Sequence, residues 1–406
     1  MSAAWHLLTG EYPPRRGGVA DYTARLARAL AERGREVHVW CPPPADEPSA
    51  GEGVRVHPLP EGFRPAGLRC LSEALDALPA PRTLLVQYAP QAFGMRGMNL
   101  PFCRWVRARS RAGDEVRVMF HEPFFPFGWQ RPRRNLLAAV NRAMAALLLA
   151  ASRVAYVSIP AWEALLRPWT GRGRPMRWLP VPSTLPRVGD PGRVAEIRTR
   201  LTGGDPSRRV VGHFGTYGAL LAPGVARVFA ALLEAEPEVV ALFLGGGGDA
   251  FAAELRQRHP VLEGRVAAPG FLAPEELSLH LQASDLILQP YPDGASSRRT
   301  TLMAALAHGL ATVTTTGRFT EPVWSEDPRL PLVPADRPEA MVQAARRLLA
   351  DPAARVAAGQ AGAALYESHF AMDRTVATLL EESPHTFTRS PAHPFTQSPR
   401  HPREDA

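Results

Sequence analysis

VVGHFGTYGALLAPGVARVFAALLEAEPEVVALFLGGGGD, Val210 to Asp249, is the stretch that decides the fold of this chain. Val210–Phe214 and Val239–Leu244 are short, mostly apolar runs that end on glycine and are too brief for helices. Between them Ala222–Glu234 repeats its apolar residues at helical spacing. Strand, helix and strand in that order call for parallel pairing through a crossover helix.

The same alternation extends in both directions. Downstream, strands are expected at Leu286–Gln289 and Thr312–Thr315, with helices at Pro274–Gln282, Thr300–His308 and Pro338–Leu349. Upstream, strand runs fall at Trp5–Thr9, Val37–Trp40, Val54–His57, Leu84–Tyr88, Val116–Phe120 and Val154–Ser158. Val19, Tyr22, Leu26 and Leu30 share one helical face, and Arg131–Ala151 reads as a longer helix. Leu179 to Asp205 is rich in Pro and Gly without a sustained period, which marks a linker. The expected fold is therefore α/β with two Rossmann-like, doubly wound domains, 1–182 and 208–368, joined by 183–207. Residues 383–406 repeat Ser, Pro, His and Thr with little to bury and read as a disordered tail.

Composition removes several chemistries. All 47 basic residues among the 406 are arginine, against 39 acids, for a net charge of +8. Without lysine there is no Gly-Lys-Ser phosphate loop, no Schiff base and no lysine general base. Cys41, Cys70 and Cys103 show no paired spacing, so neither a zinc site nor a disulfide framework is expected, and no metal is assigned. The first residues lack a charged start followed by an apolar core, and the longest apolar stretch, Ala143 to Ala151, is shorter than a membrane span. These features predict a cytoplasmic protein. Residues 1–180 hold 25 arginines and 14 acids, so the positive charge belongs to the first half. No recognition motif accompanies it, which argues against nucleic acid as a partner. No strand ends in a dinucleotide glycine fingerprint, which argues against a nicotinamide enzyme.

Ligands of open parallel sheets bind beyond the carboxyl ends of the strands, so the loops there carry the candidates. Gly17 and Gly18 open the helix that follows the first strand; a plain glycine turn explains the pair, and the neighbouring Arg15 and Arg16 add the reading of an anion site. His121 directly follows Val116–Phe120, where an imidazole can donate to a sugar hydroxyl or an oxyanion or be merely structural. Gly215, Thr216 and Gly246 lie in glycine loops after the two strands of the opening stretch and offer either backbone amides or tight turns. Ser297, Arg298, Arg299 and Thr300 start the helix Thr300–His308. Arginine in a first helical turn opposes the helix dipole, a conflict that a bound diphosphate would reverse.

GGVADYTARLARALAERGREVHVW, Gly17 to Trp40, with ASDLILQPYPDG, Ala283 to Gly294, and LMAALAHGLATVTTTGRFTE, Leu302 to Glu321, resembles the GT-B glycosyltransferases, and within them the retaining family four, also called glycosyl transferases group 1. The resemblance reaches about Glu382. It implies two domains facing a cleft and a helix over 369–382 that crosses back onto the first domain. It also implies transfer of a sugar from a nucleotide-diphosphate donor to a glycan, lipid-linked or small-molecule acceptor, with retention and no cofactor. The family's paired glutamates fall on Ser296 and Ala304, and its Arg and Lys after the first strands of the second domain are replaced near Thr216 and Tyr217. On this reading Arg298 and Arg299 hold the leaving diphosphate, His121 orients the sugar, and Glu321 holds nucleotide or sugar. Two rivals share the fold: a sugar-nucleotide epimerase, and a silent protein that binds sugar nucleotides without transfer. Arg104, Arg107, Arg109 and Arg111, interleaved with Trp105 and Val106, and Arg131, Arg133 and Arg134 suggest either a solvated face or peripheral contact with the inner face of an anionic membrane.

Overall fold

A computed structural model describes residues 3–15, 17–43, 51–128, 132–170 and 175–381. The tail expected from 383, Arg16 and Arg131 lie outside the described residues.

Two parallel sheets form the molecule. The first contains β1 (Ala4–Thr9), β2 (Val37–Cys41), β3 (Val54–Pro58), β4 (Arg82–Tyr88), β5 (Glu115–Phe120), β6 (Val154–Val157) and β7 (Met176–Trp178), in the order β3-β2-β1-β4-β5-β6-β7. The second contains β8 (Arg209–Phe214), β9 (Val239–Leu244), β10 (Val266–Ala267), β11 (Leu286–Gln289), β12 (Thr312–Thr316) and β13 (Leu332–Pro334), in the order β10-β9-β8-β11-β12-β13. Each order reverses once, between β1 and β4 and between β8 and β11, which opens a crevice at the carboxyl edge of each sheet. This is the doubly wound pair that the apolar runs predict. The strands they missed, β7, β10 and β13, are two or three residues long and sit at sheet edges, too short to leave a pattern.

Helices on both faces explain why the central strands are apolar throughout. Trp5 and Leu7 of β1 pack with Tyr22, Leu26 and Leu30 of the helix Gly18–Glu32, while Leu8 joins Phe102, Met144 and Leu148 on the other side. Each such buried side chain contributes about 1.5–3 kcal/mol.

The stretch read as a linker contains a helix, Pro191–Thr202. Asp190 caps it by accepting from the Arg193 amide, and Ile197 is buried against Leu279 and Ala283 of the second domain. Its apolar residues are few because only one narrow side touches protein. The helix Met372–Leu380 lies against the first domain: Val376 and Leu379 share a core with Tyr22 and Leu26, and Arg117 donates to the Leu379 carbonyl.

The arginine stripe of the helix Leu100–Arg111 is not a continuous basic face. Arg109 is buried and bonds Asp76 at 2.7 Å and Asp114 at 2.6 Å, and Trp105 turns inward to donate to Ser72. A guanidinium that finds two carboxylates gains more there than in water.

Candidate functional site

On the first domain the site is built at the ends of β4 and β5. The His121 amide donates to the Tyr88 carbonyl, which extends the sheet by one bond and fixes the ring at its edge. His121 Nε2 is 2.8 Å from Gln87 Oε1, and the His121 carbonyl accepts from Trp162 Nε1 at 2.9 Å and Ser158 Oγ at 3.2 Å. The edge of the Tyr22 ring meets the imidazole at 5.2 Å. Burial pushes the pKa of His121 down to about 3, so the ring is neutral at ordinary pH. With its proton held on Nε2 by Gln87, Nδ1 is a hydrogen-bond acceptor. The ring suits a sugar hydroxyl and not, as a donor, an oxyanion, because the burial that fixes it also keeps it uncharged.

Gly17 precedes the helix Gly18–Glu32 in an extended conformation, and a Cβ there would fall 2.5 Å from the Glu11 carboxylate. Asp21 stands in the same first turn, its carboxyl raised by burial and by Glu11. The amino end of this helix is thus faced by the protein's own carboxylates where the sequence suggested a bound anion; Gly18 is exposed with open space around it.

On the second domain, Gly215 and Gly245 bring two loops into backbone contact. The Gly215 amide donates to Leu244, and a Cβ on Gly245, at φ +104°, would lie 2.2 Å from the Gly215 carbonyl oxygen. Gly247, at φ +84°, starts the helix Gly248–Arg258. Two of the four glycines therefore answer to backbone geometry. Gly246 and Thr216 are exposed at the crevice beyond β8 and β9. Tyr217 packs on Phe251 and donates to the Leu244 carbonyl, which gives its ring a structural role.

The arginine segment follows β11. Arg298 and Arg299 each give one Nη2 to Asp293, the former at 2.5 Å. Arg298 lies over Phe319 at 5.2 Å and over Trp162 of the first domain at 5.5 Å, and Arg299 over Tyr291 at 4.5 Å. Burial, followed by the charge of Arg299, lowers the pKa of Arg298. Both Nε atoms are buried without a partner among the described residues. Asp293 is the charge that sequence reasoning missed; it lies only five residues before Arg298 in the quoted PYPDG turn, so the signal was there. Asp293 and, at longer range, the Glu122 carboxylate face the two guanidiniums beside the half-buried Thr300.

Ser297 and Glu321 are bonded to each other inside the protein. The Ser297 amide and Oγ meet Glu321 Oε1 at 2.9 and 2.5 Å, and Trp324 donates to Oε2 at 2.7 Å. Ser297 Oγ also lies 2.8 Å from the Ser158 carbonyl and accepts from Trp178. Both residues are buried, and both Glu321 oxygens are used by protein donors, so the pair joins the domains. Ser296 and Ala304 are also buried.

These contacts form one route across the molecule. Gln87 orients His121, His121 fixes Trp162, and Trp162 lies on Arg298, which is tied to Asp293 and through it to Arg299. Among the described residues, no three His, Cys, Asp or Glu side chains gather to hold a metal ion.

Twin doubly wound domains whose carboxyl edges meet at one charged junction define a GT-B protein. The family model described as Glycosyltransferase Family 4 matches residues 16–175, and that of Glycosyl transferases group 1 matches 211–351. Together they span about three quarters of the chain, which belongs to the GT-B glycosyltransferases. Solved structures agree in fold. Sucrose-phosphate synthase from Thermosynechococcus elongatus is similar at a TM-score of 0.67 and 19% identity, over 93% of this chain and 97% of that one. Anabaena HepE in complex with UDP and glucose gives 0.67 and 15%, over 94% and 99%. WaaG, a glycosyltransferase involved in lipopolysaccharide biosynthesis, gives 0.64 and 17%, over 93% and 100%. No curated protein is similar to the chain in sequence.

Proposed function

We propose that this glycosyltransferase takes its sugar from a nucleoside-diphosphate donor and passes it, with retained configuration, to a hydroxyl of a glycan or lipid-linked acceptor. The observation that carries this reading is the position of Arg298 and Arg299: between the two domains, with buried N–H groups left over beyond those that Asp293 takes. Breaking the bond from the sugar to the diphosphate concentrates negative charge on the leaving oxygens, and fixed guanidiniums stabilise it without reorganisation. Arg299 directly precedes the helix Thr300–Ala307, whose amino end favours an anion. His121 Nδ1 accepts a hydrogen bond from a hydroxyl of the transferred sugar. HepE, a fold relative, is described with UDP and with UDP-glucose, which makes UDP-glucose the first donor to try.

The test is UDP release from UDP-glucose by the chain and by Arg298→Ala, with circular dichroism to check folding. Loss of one such stabilising donor costs on the order of 10²–10³ in turnover. Full activity in a folded Arg298→Ala protein would end the assignment. The absence of carboxylates at Ser296 and Ala304 favours a second reading, a protein that binds the nucleotide sugar and does not transfer it. Saturable UDP-glucose binding with neither transfer nor slow hydrolysis would select that reading.

A further inference from the structure

We propose that Asp293 is a built-in counter-anion that competes with the diphosphate for Arg298 and Arg299, so that the second domain accepts a diphosphate and turns away a single phosphate. The proposal rests on the assignment of the two arginines to the diphosphate and adds the residue that sets the affinity there. Asp293 is held in place by its backbone. Its carbonyl accepts from the Phe319 amide at 3.0 Å, and the following Gly294, at φ +87°, leaves no room for a side chain against the Gly317 amide and Thr320 Oγ1. This close approach of two loops fixes the carboxylate, which is 9% exposed, while the arginine side chains that reach it are long and can turn.

Asp293 is the hydrogen-bond partner that the two arginines share. Each gives its Nη2 to the carboxylate, Arg298 at 2.5 Å. The guanidiniums lie against rings, Arg298 on Phe319 and Trp162 and Arg299 on Tyr291, and both Nε atoms are buried without a partner among the described residues. A guanidinium grips a phosphate through two neighbouring nitrogens. Both such edges, Nε with Nη2 and Nη1 with Nη2, include the atom that Asp293 holds. An incoming phosphate therefore competes with Asp293 at each arginine.

Charge sets the height of this competition. Burial and then Arg299 lower the pKa of Arg298, while Asp293 and, from the first domain, Glu122 act against that. Two carboxylates facing two guanidiniums leave the pair balanced, so an anion gains only what it offers beyond a carboxylate. Orthophosphate offers one phosphoryl group; a diphosphate offers two, one for each arginine, and carries more charge. The same competition draws the arginines back to Asp293 as the diphosphate leaves. By linkage, whatever Asp293 gains from the pair is lost from the affinity of an anion for it, so removing the carboxylate strengthens anion binding. A residue that only aimed the arginines at their ligand would weaken binding when removed.

The experiment measures, by calorimetry and thermal unfolding of the full chain, the binding of inorganic pyrophosphate, orthophosphate and UDP-glucose to the parent and to Asp293→Asn. The parent should bind pyrophosphate and, at the same concentration, not orthophosphate. Without ligand, Asp293→Asn should melt several degrees lower, because two buried guanidiniums then face each other with Glu122 alone. It should bind pyrophosphate about tenfold or more tightly than the parent, regain most of the lost melting temperature in its presence, and take up orthophosphate. Glu122→Gln, at an exposed position and acting at longer range, should show a smaller gain in the same direction, and it tests the proposal even if Asp293→Asn unfolds. Glu263→Gln, the same charge change in the exposed turn before β10, should show none. Equal, weaker or no pyrophosphate binding by Asp293→Asn, orthophosphate held by the parent as tightly as pyrophosphate, or an equal gain in Glu263→Gln would overturn the proposal. Tighter pyrophosphate binding by Asp293→Asn with no UDP-glucose binding by either protein would support the competition and remove the donor reading.

Discussion

Lowering the pH should destabilise the first domain through His121. Burial holds its pKa at about 3 in the folded chain, against 6.5 for an open imidazole. As pH falls below 6.5 the unfolded chain takes up a proton that the folded chain refuses, so the unfolded state gains. Stability is unaffected by this group above 6.5 and declines between 6.5 and 3 by about 1.4 kcal/mol per pH unit. From pH 7 to pH 5 the loss is about 2 kcal/mol, a large part of the stability of an ordinary domain. Urea unfolding followed by tryptophan fluorescence at pH 7, 6 and 5 gives the slope, and His121→Asn should flatten it by that amount whatever its own stability at pH 7. The comparison concerns slopes, so a generally weakened variant still tests it. An identical slope in both proteins, or a His121 ring that titrates near pH 6 in the folded chain by nuclear magnetic resonance, would show that water reaches the imidazole and that its neutral, acceptor state is wrong.

Three substitutions test the junction and the glycine loops. Gly245→Ala should destabilise the second domain by about 2–3 kcal/mol, since its Cβ meets the Gly215 carbonyl at a positive φ, while Gly246→Ala, in open space, should stay within about 0.5 kcal/mol by thermal unfolding. Glu321→Gln should cost about 1–3 kcal/mol, because an amide cannot accept on both sides from Ser297 and Trp324; an unchanged melting temperature would remove Glu321 from the domain joint.

Period and composition determined much of this protein. Apolar runs such as Val239–Leu244 and helical faces such as Val19, Tyr22, Leu26 and Leu30 are local patterns, and parallel sheets need both, so the two domains were legible from the sequence. His121 and the Ser297–Thr300 segment were legible as candidates because the end of a strand and the start of a helix are also local features. What a charged or polar residue does there depends on partners distant in sequence. Asp293 neutralises part of the arginine pair, Ser158 and Trp178 draw Ser297 into the domain joint, and Asp76 and Asp114 bury Arg109. Likewise the sequence shows an apolar helix at Pro132–Ala151, but only packing tells which side is core and which is left uncovered. A hydrophobic pattern repeats along the chain and can be read there; an electrostatic partnership is made across space, and the fold alone decides it.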